Sequence, residues 1–377
     1  MRKFAFIYSP SDGWVGGANY YISTIESLND NLVSQKTSDL IYILTSPNAD
    51  LSGIEKLERV VVIRTKLLSK TRSFSLAVKV IDTIIGRNVT LLWLLRSNKI
   101  DLLCHSFIPL WTGVRSLPWI PDFQQCYLPH YFSKVSLFMR NRAYAKYLAS
   151  ENVLLSSQSA LDDAERFFSV TAKPWVYRFR PLLTHDYAHK KCEKLLKSNG
   201  LHGAYVFLPN QFWMHKNHKV VFEAAKLALQ QGQPFDLVCT GKLSDFRNKD
   251  YPAGMLKYIN DNGLGQHIKY LGLVDRGVFN CLLKGAEVLV NPSYFEGWSS
   301  TVEEGKALGK KMAISNLDVH REQVGEAEGV MYFNADSPYD CLTAIRGSLM
   351  KDSKVYSYDI QSDSVYEILD EIVPPNG

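Results

Sequence analysis

The residues best able to do chemistry lie in one stretch, Asn291 to Gly309. It holds Glu296, Gly297, the small polar run Ser299-Ser300-Thr301 and a second carboxylate, Glu304. An apolar run, Ala286 to Val290, precedes it and has the character of a buried parallel strand. Ser299 is a good N-cap for a helix running to about Leu308. The order is therefore strand, loop, helix N-terminus, with one acid before the helix and one on its second turn. Amides at a helix N-terminus hold phosphate, and carboxylates accept hydrogen bonds from sugar hydroxyls. Phosphate and hydroxyls together point to a nucleotide sugar.

Such a loop needs a sheet whose strands end beside it. The first half alternates strands and helices. Phe4–Tyr8 reads as a strand, followed by a glycine turn from Gly13 to Gly17 and a helical pattern over Asn19–Leu28. Leu40–Leu44 and Val60–Arg64 read as strands, Phe74–Ser97 as a long helical stretch, and Asp101–His105, Pro118–Asp122 and Asn152–Ser156 as further strands. Ser157 or Ser159 caps a helix to Phe168, and Trp175–Phe179 closes this half. A polar stretch from Arg180 to Gly203 reads as a linker with a short helix. The alternation then restarts with strands at Tyr205–Leu208, Phe235–Thr240, Ile268–Leu271, Glu287–Val290, Lys311–Ser315 and Val330–Phe333, and helices at Lys219–Gln230, Arg276–Gly285 and Thr301–Leu308. This pattern predicts an α/β protein with two doubly wound domains, residues 1–180 and 204–354, joined by a linker at 181–203. Two such domains place a ligand at their strand C-terminal ends.

Composition agrees with two domains. The chain has 377 residues, and its apolar and charged fractions are those of a soluble globular protein. Six scattered cysteines (Cys104, Cys126, Cys192, Cys239, Cys281, Cys341) lack metal or redox spacing. They read as core thiols of a chain in a reducing compartment. The apolar stretch at the N-terminus is too short for a signal peptide. Val80–Leu95 is broken by Asp82, Gly86, Arg87 and Asn88, so it does not span a bilayer, and the sequon Asn88-Val89-Thr90 is taken as chance. Residues 1–180 carry 22 Lys+Arg against 14 Asp+Glu, the remainder 21 against 24. A basic half attracts nucleic acid, an anionic membrane surface or an anionic substrate. Basic residues from Lys66 to Arg96 alternate with apolar ones, which fits an interfacial helix pair and equally an ordinary amphipathic helix.

Glu296 and Glu304, with seven residues between them, resemble the E-x7-E element of retaining glycosyltransferases of family 4, which have the GT-B fold of two Rossmann-like domains facing a central cleft. Four further elements stand in matching order: Gly16-Gly17-Ala18 after the first strand, Pro209 to His218 at the start of the second domain, Thr240-Gly241-Lys242, and Gly272 to Arg276. Ile120 to Gln124 and Asp318 to Glu322 are similar to bacterial members that build surface polysaccharides, O-antigen or capsule. The resemblance covers nearly the whole chain. It implies that Lys216 holds the leaving phosphate, that Leu273 and Val274 meet the nucleobase, and that the tail, residues 355–377, crosses back onto the first domain. Two departures stand out. The family has an Arg where this chain has Asn210, so a charge is missing or comes from Lys242 or Arg276. The family also carries a His near the reacting sugar, where this chain offers Asp122, Gln124 and His130.

Glycosyl transfer develops negative charge on the leaving phosphate and positive charge on the anomeric carbon, so donors aimed at that phosphate are the largest catalytic term. Lys216 and the amides near Ser300 and Thr301 are assigned to this task, with Lys216 as a plain surface lysine the bland alternative. Glu296 is expected to touch donor-sugar hydroxyls and steady the cationic transition state, and Glu304 to bind ribose. Glu303, about 100° away on the helix, is expected to be solvated. Gly297, Ser299, Asn210, Gly241 and Lys242 complete the expected donor site. Gly16 and Gly17 give the opposing backbone a close approach to phosphate or acceptor, or simply make a turn. His215 and His218 flank Lys216, as phosphate donors or as exposed loop residues. His105 lines the cleft or caps a core. Trp213 and Trp298 pack on a ring or are buried. The chain contains no Asp-x-Asp and no His/Cys cluster, which argues against a catalytic metal, and no cofactor is expected beside the nucleotide-sugar substrate. A glycosidase is rejected because the carboxylates come with a phosphate-type helix start.

The expectation is a retaining, metal-independent glycosyltransferase. It would move a sugar from a nucleotide-diphosphate sugar to a saccharide or lipid-linked oligosaccharide acceptor. It would be cytoplasmic and peripheral at an anionic inner membrane face, without nucleic acid as partner. The alternatives are another enzyme on the same frame, a nucleotide-sugar 2-epimerase or a phosphorylase, and a non-catalytic sugar-nucleotide-binding subunit.

Overall fold

The computed structural model describes residues 1–9, 15–68, 89–109, 112–180, 189–245, 247–352, 355–358 and 363–375. The chain divides into two units. One comprises Met1–Phe123, Ser133–Arg180 and Ser362–Gly377, the other Gln124–Phe132 and Pro181–Gln361.

In the first unit, β1 (Lys3–Ile7), β2 (Leu40–Thr45), β3 (Val60–Arg64), β4 (Leu102–Cys104) and β5 (Arg115–Leu117) form a parallel sheet in the order β3-β2-β1-β4-β5. Strands β6 (Trp119–Ile120), β7 (Asn152–Leu155) and β8 (Lys173–Val176) make a second parallel sheet. Phe4, Ala5 and Phe6 are consecutive and all buried, which is why β1 reads as an unbroken apolar run rather than an alternating one. Helix α1 (Val15–Ser34) buries Ile25, Leu28 and Leu32, spaced three and four apart, on one face. Gly16 and Gly17 lie inside the first turn of α1, not in the glycine turn expected from the sequence. The other expected turn residue, Gly13, lies outside the described residues. Of the helical stretch expected over 74–97, α2 (Val89–Ser97) is described, and 69–88 lie outside. The short α3 (Gln124–Tyr127) groups with the second unit. It is followed in the first unit by α4 (Lys134–Leu148), which the periodicity did not predict, and by α5 (Gln158–Phe167). Ser157 Oγ caps α5 by accepting the Ala160 amide at 2.9 Å.

The second unit holds β9 (Val206–Leu208), β10 (Leu237–Cys239), β11 (Ile268–Tyr270), β12 (Val288–Asn291), β13 (Lys311–Ser315) and β14 (Val330–Phe333). They form one parallel sheet in the order β11-β10-β9-β12-β13-β14. Its helices are α6 (His189–Ser198), α7 (His218–Gln230), α8 (Tyr251–Asp261), α9 (Arg276–Gly285), α10 (Ser300–Ala307), α11 (Asp318–Val324) and α12 (Pro338–Met350). Alternate residues of each strand feed two cores. Val206, Leu208 and Val290 pack with Phe222 and Ile345 on one face, and Phe207 and Leu289 with Leu282 and Met312 on the other. Strand order reverses between β9 and β12, so the crevice of a doubly wound sheet opens at their carboxyl ends.

Two expectations need correction. Cys192 on α6 and Cys281 on α9 are joined by a disulfide with Cα atoms 5.1 Å apart, so these two are not free core thiols. The core reading suits Cys104, Cys239 and Cys341, which are buried and free. The tail, whose pattern over Val355–Val373 reads as helical, forms a helix in α13 (Val365–Ile372), whereas 355–358 belong to neither helix nor strand and Tyr356 donates its amide to Gly309 O at 3.0 Å. Helix α13 packs in the first unit, where buried Arg2 reaches Asp370 Oδ1 at 2.7 Å and Val373 O at 2.6 Å while also pairing with Asp39 at 2.6 Å.

Candidate functional site

The loops that leave β9 and β12 meet at the switch point of the second sheet. The β9 loop makes a single 3-10 turn, Met214–Lys216, and ends at Asn217 in the left-handed region with φ +52°. Asn tolerates that conformation better than most residues. On one side of Lys216, His215 O accepts the Tyr294 amide at 2.8 Å. On the other, Asn217 Nδ2 donates to Pro292 O at 3.2 Å and to Ala335 O at 2.8 Å. The two loops are thus tied together around Lys216, and its Nζ lies 2.6 Å from Glu296 Oε1.

Both ends of this ion pair are largely withdrawn from water, with 16% and 8% of the side chains exposed. Burial alone would raise the Glu296 pKa, but Lys216, His320 and the hydrogen bond from Ser293 Oγ (2.6 Å) outweigh it and bring it down to about 2. Glu296 is therefore a carboxylate at neutral pH. It cannot serve as a proton donor, but it can face a developing cation or accept from hydroxyls. Burial, with Lys216 adding to it, lowers His215 to about 3, and burial lowers His218 to about 3. Both histidines are buried and neutral, not exposed loop residues.

Helix α10 begins as expected. Ser299 Oγ caps it at the Val302 amide, 3.4 Å away, and accepts from Asn291 Nδ2 at 2.8 Å. Asn210 donates to Asn291 Oδ1 at 3.2 Å, so its amide serves the scaffold behind the cap. The amides of Ser300 and Thr301 stand at the helix start, where no intrahelical carbonyl can reach them. Gln323 of α11 clamps the same turn, taking the Ser299 amide at 3.3 Å and donating to Ser299 O at 3.0 Å. It also donates to Glu303 Oε1 at 2.9 Å, and Lys306 Nζ lies 3.1 Å from that oxygen. Glu303 is thus buried rather than solvated, because α11 covers the helix face that a wheel of α10 alone leaves open. Its pKa is raised by burial, against the pull of Lys306.

Glu304 is buried as well and pairs with Arg276 Nη2 at 2.7 Å. Burial raises its pKa while Arg276 opposes. Arg276 opens α9, behind the N-cap Asp275, and lies over the Phe279 ring with its guanidinium carbon 4.8 Å from the centroid. Gly305 allows α10 to sit directly on the sheet: a Cβ there would meet Leu289 Cδ2 at 2.6 Å.

The remaining expected residues scatter. Gly241 has φ +128°, and a Cβ would fall on the carbonyl of Asn210, so this glycine serves close backbone approach. Lys242 is exposed and gives its amide to Gln211 Oε1 at 2.8 Å. Leu273 is exposed, whereas Val274 packs against the core. Gly297 lies between Glu296 and buried Trp298, and Trp213 is half-buried. His130 is exposed and, with Tyr131, Met214, Asp245, Arg247 and Asn248, lines a hollow beside the Lys216 loop. Gln124 accepts from Arg247 Nη1 at 2.8 Å. Asp122 lies in the first unit, 3.8 Å from Arg140. Gly16 is exposed, with open space where a Cβ would project, and Gly17 is buried. His105 follows β4 with φ +61° and is buried, with Nε2 2.6 Å from Tyr20 Oη inside a cluster that includes Trp119 stacked on Tyr20 at 4.0 Å.

Sequence reasoning named Glu296, Lys216 and Glu304 but missed Ser293, Gln323 and His320. Only the Asp318–Glu322 phrase drew attention near the last two. His320 Nδ1 donates to Ser315 O at 2.8 Å, which leaves Nε2 as an acceptor, and this buried atom has no hydrogen-bond partner among the described residues. Among the described residues, no group of three or more His, Cys, Asp or Glu side chains could hold a metal ion.

Residues 197–355 match the family model of glycosyl transferases group 1. No curated relative matches the chain. Among solved structures, the chain is similar to Anabaena Alr3699/HepE in complex with UDP and glucose (TM-score 0.68, 14% identity, 98% of this chain and 95% of that one). It is also similar to a glycosyltransferase from Rickettsia africae ESF-5 (TM-score 0.64, 15% identity, 92% and 88%). A third likeness is to WaaG, a glycosyltransferase involved in lipopolysaccharide biosynthesis (TM-score 0.60, 11% identity, 93% and 90%). The chain therefore has the GT-B glycosyltransferase fold, and its second unit carries the stretch that matches glycosyl transferases group 1.

Proposed function

We propose that the protein is a retaining, metal-independent glycosyltransferase that uses a nucleotide-diphosphate sugar. The observation that carries this is the Lys216–Glu296 pair at the switch point of the second sheet. It places one cation and one obligate carboxylate beside the free amides of a helix start. Lys216 and the Ser300 and Thr301 amides stabilise the leaving diphosphate, while Glu296 faces the positive charge on the anomeric carbon. Glu304, buried with Arg276, accepts from ribose hydroxyls. The match to glycosyl transferases group 1 and the UDP bound by the Anabaena neighbour support this assignment. The acceptor is a saccharide, lipid-linked in surface-polysaccharide assembly, reached from the inner membrane face. The basic first half and the likeness to WaaG support this part.

The test is incubation of the full chain with a panel of nucleotide sugars and saccharide acceptors, with nucleoside diphosphate release as readout. Release should occur with at least one donor, survive a chelator, and leave the product with the donor's anomeric configuration. Silence with every donor and acceptor would sink the assignment, and an inverted product or chelator sensitivity would remove its retaining or metal-independent part.

A further inference from the structure

Helix α4 has two opposed faces. Leu137 is half-buried, Tyr144 and Leu148 are buried, and these three face inward. At 100° per residue, Val135, Phe138, Met139, Arg142 and Lys146 fall within an arc of about 100° on the opposite side. Val135, Phe138 and Met139 are 73%, 64% and 59% exposed. Scattered surface apolar residues need no explanation, but three large ones on adjoining positions of one face form a patch. The patch lies in the amino-terminal half of the helix. Exposed Lys134 stands at its start and exposed Arg142 and Lys146 continue the same stripe, with no Asp or Glu between Lys134 and Ser150. Ser133 Oγ caps the helix at the Ser136 amide, 3.2 Å away, so the arrangement is held in a regular helix. The remaining base, Arg140, is turned inward onto Tyr144 Oη at 3.1 Å and does not belong to the stripe.

We propose that this face of α4 docks the protein on an anionic lipid bilayer, with Val135, Phe138 and Met139 entering the interface and Lys134, Arg142 and Lys146 meeting the lipid phosphates. Apolar side chains flanked by cations, with no acid to repel an anionic surface, match such a bilayer in both respects. A wholly apolar partner surface would leave the three cations without counter-charge. The proposal gives a location to the peripheral membrane contact of the proposed function and rests on that reading for its purpose. It is measured separately from sugar transfer.

The experiment is flotation of the full chain with phosphatidylcholine vesicles, with and without phosphatidylglycerol. Wild type should float only with the anionic lipid, and less so as salt rises. Arg142→Gln/Lys146→Gln should weaken binding roughly 25-fold, at roughly fivefold per charge. Val135→Ser/Phe138→Ser/Met139→Ser should reduce it at least tenfold. Both variants alter exposed positions, so each should keep the wild-type melting temperature and nucleoside diphosphate release with a soluble acceptor. Failure of wild type to float, or flotation unchanged in both variants, overturns the proposal while release still reports on transferase activity. A wild-type dimer in solution that the triple serine variant dissociates also overturns it, because the face then belongs to a second copy of the chain.

Discussion

Lys216 and Glu296, 80 residues apart in sequence, form a 2.6 Å ion pair. The pair has a structural consequence and a chemical one, and they can be separated. Lys216→Ala removes the cation but leaves a buried carboxylate, so stability should fall by about 3 kcal/mol. The Glu296 pKa should rise from about 2, because burial is then weakly opposed. Turnover should fall on the order of 100-fold through loss of one preorganised charge at the leaving group. Lys216→Met/Glu296→Gln should recover much of the stability and none of the activity. Urea unfolding and nucleoside diphosphate release, measured on Lys216→Met, Glu296→Gln and the double, check this, and full additivity of the stability losses would show that the pair is not coupled.

Gln323 touches no expected substrate atom, yet its amide holds both ends of the Ser299 peptide and Glu303. Gln323→Leu should cost about 1–3 kcal/mol, since the partners stay buried without their bonds. The helix start should loosen, so KM for the donor should rise while kcat falls less. A variant with wild-type KM and lowered kcat would show that Gln323 does not act through the donor site.

Burial lowers His105, His215 and His218 each to about 3 from an ordinary value of 6.5. The unfolded chain takes up protons on these rings as pH falls through about 6.5, and the folded protein does not until about 3. Stability should therefore decrease as pH falls across that window, by up to about 1.4 kcal/mol per pH unit for each histidine. Melting temperatures between neutral and mildly acidic pH report this. A protein equally stable at both ends would contradict the neutral, buried state of these rings.

The Cys192–Cys281 bond spans 89 residues and ties α6 to α9, the helix that Arg276 begins. Its reduction should lower stability by about 2–4 kcal/mol through the entropy of the unfolded chain. Dithiothreitol should lower the melting temperature of wild type and leave Cys192→Ser/Cys281→Ser unaffected. An identical response in both proteins would mean that the bond does not form.

Where strands are apolar throughout, as in β1, β9 and β12, their burial on both faces was legible. The cap at Ser299 was legible too, because a hydroxyl before a helical run has one common use. Helix α4 was not, since its apolar residues lie on two opposite faces and leave no single stripe. Helix α12 was not assigned either, although Ser337, which caps it, and Pro338 stand at its start.

The site divides in the same way. The sequence alone determined the repeating strand–helix order, the Glu296 and Glu304 carboxylates around a helix start, and a lysine in the loop after the second unit's first strand. Those are properties of residues near each other in the chain. The tertiary structure alone decided that Lys216 meets Glu296, that Arg276 meets Glu304, and that Glu303 is buried under Gln323. Each of these depends on which strands become neighbours where sheet order reverses, and on which helix covers the face left open. Local periodicity carries no information about that choice, because it records how a segment divides its own sides and not what arrives to cover them.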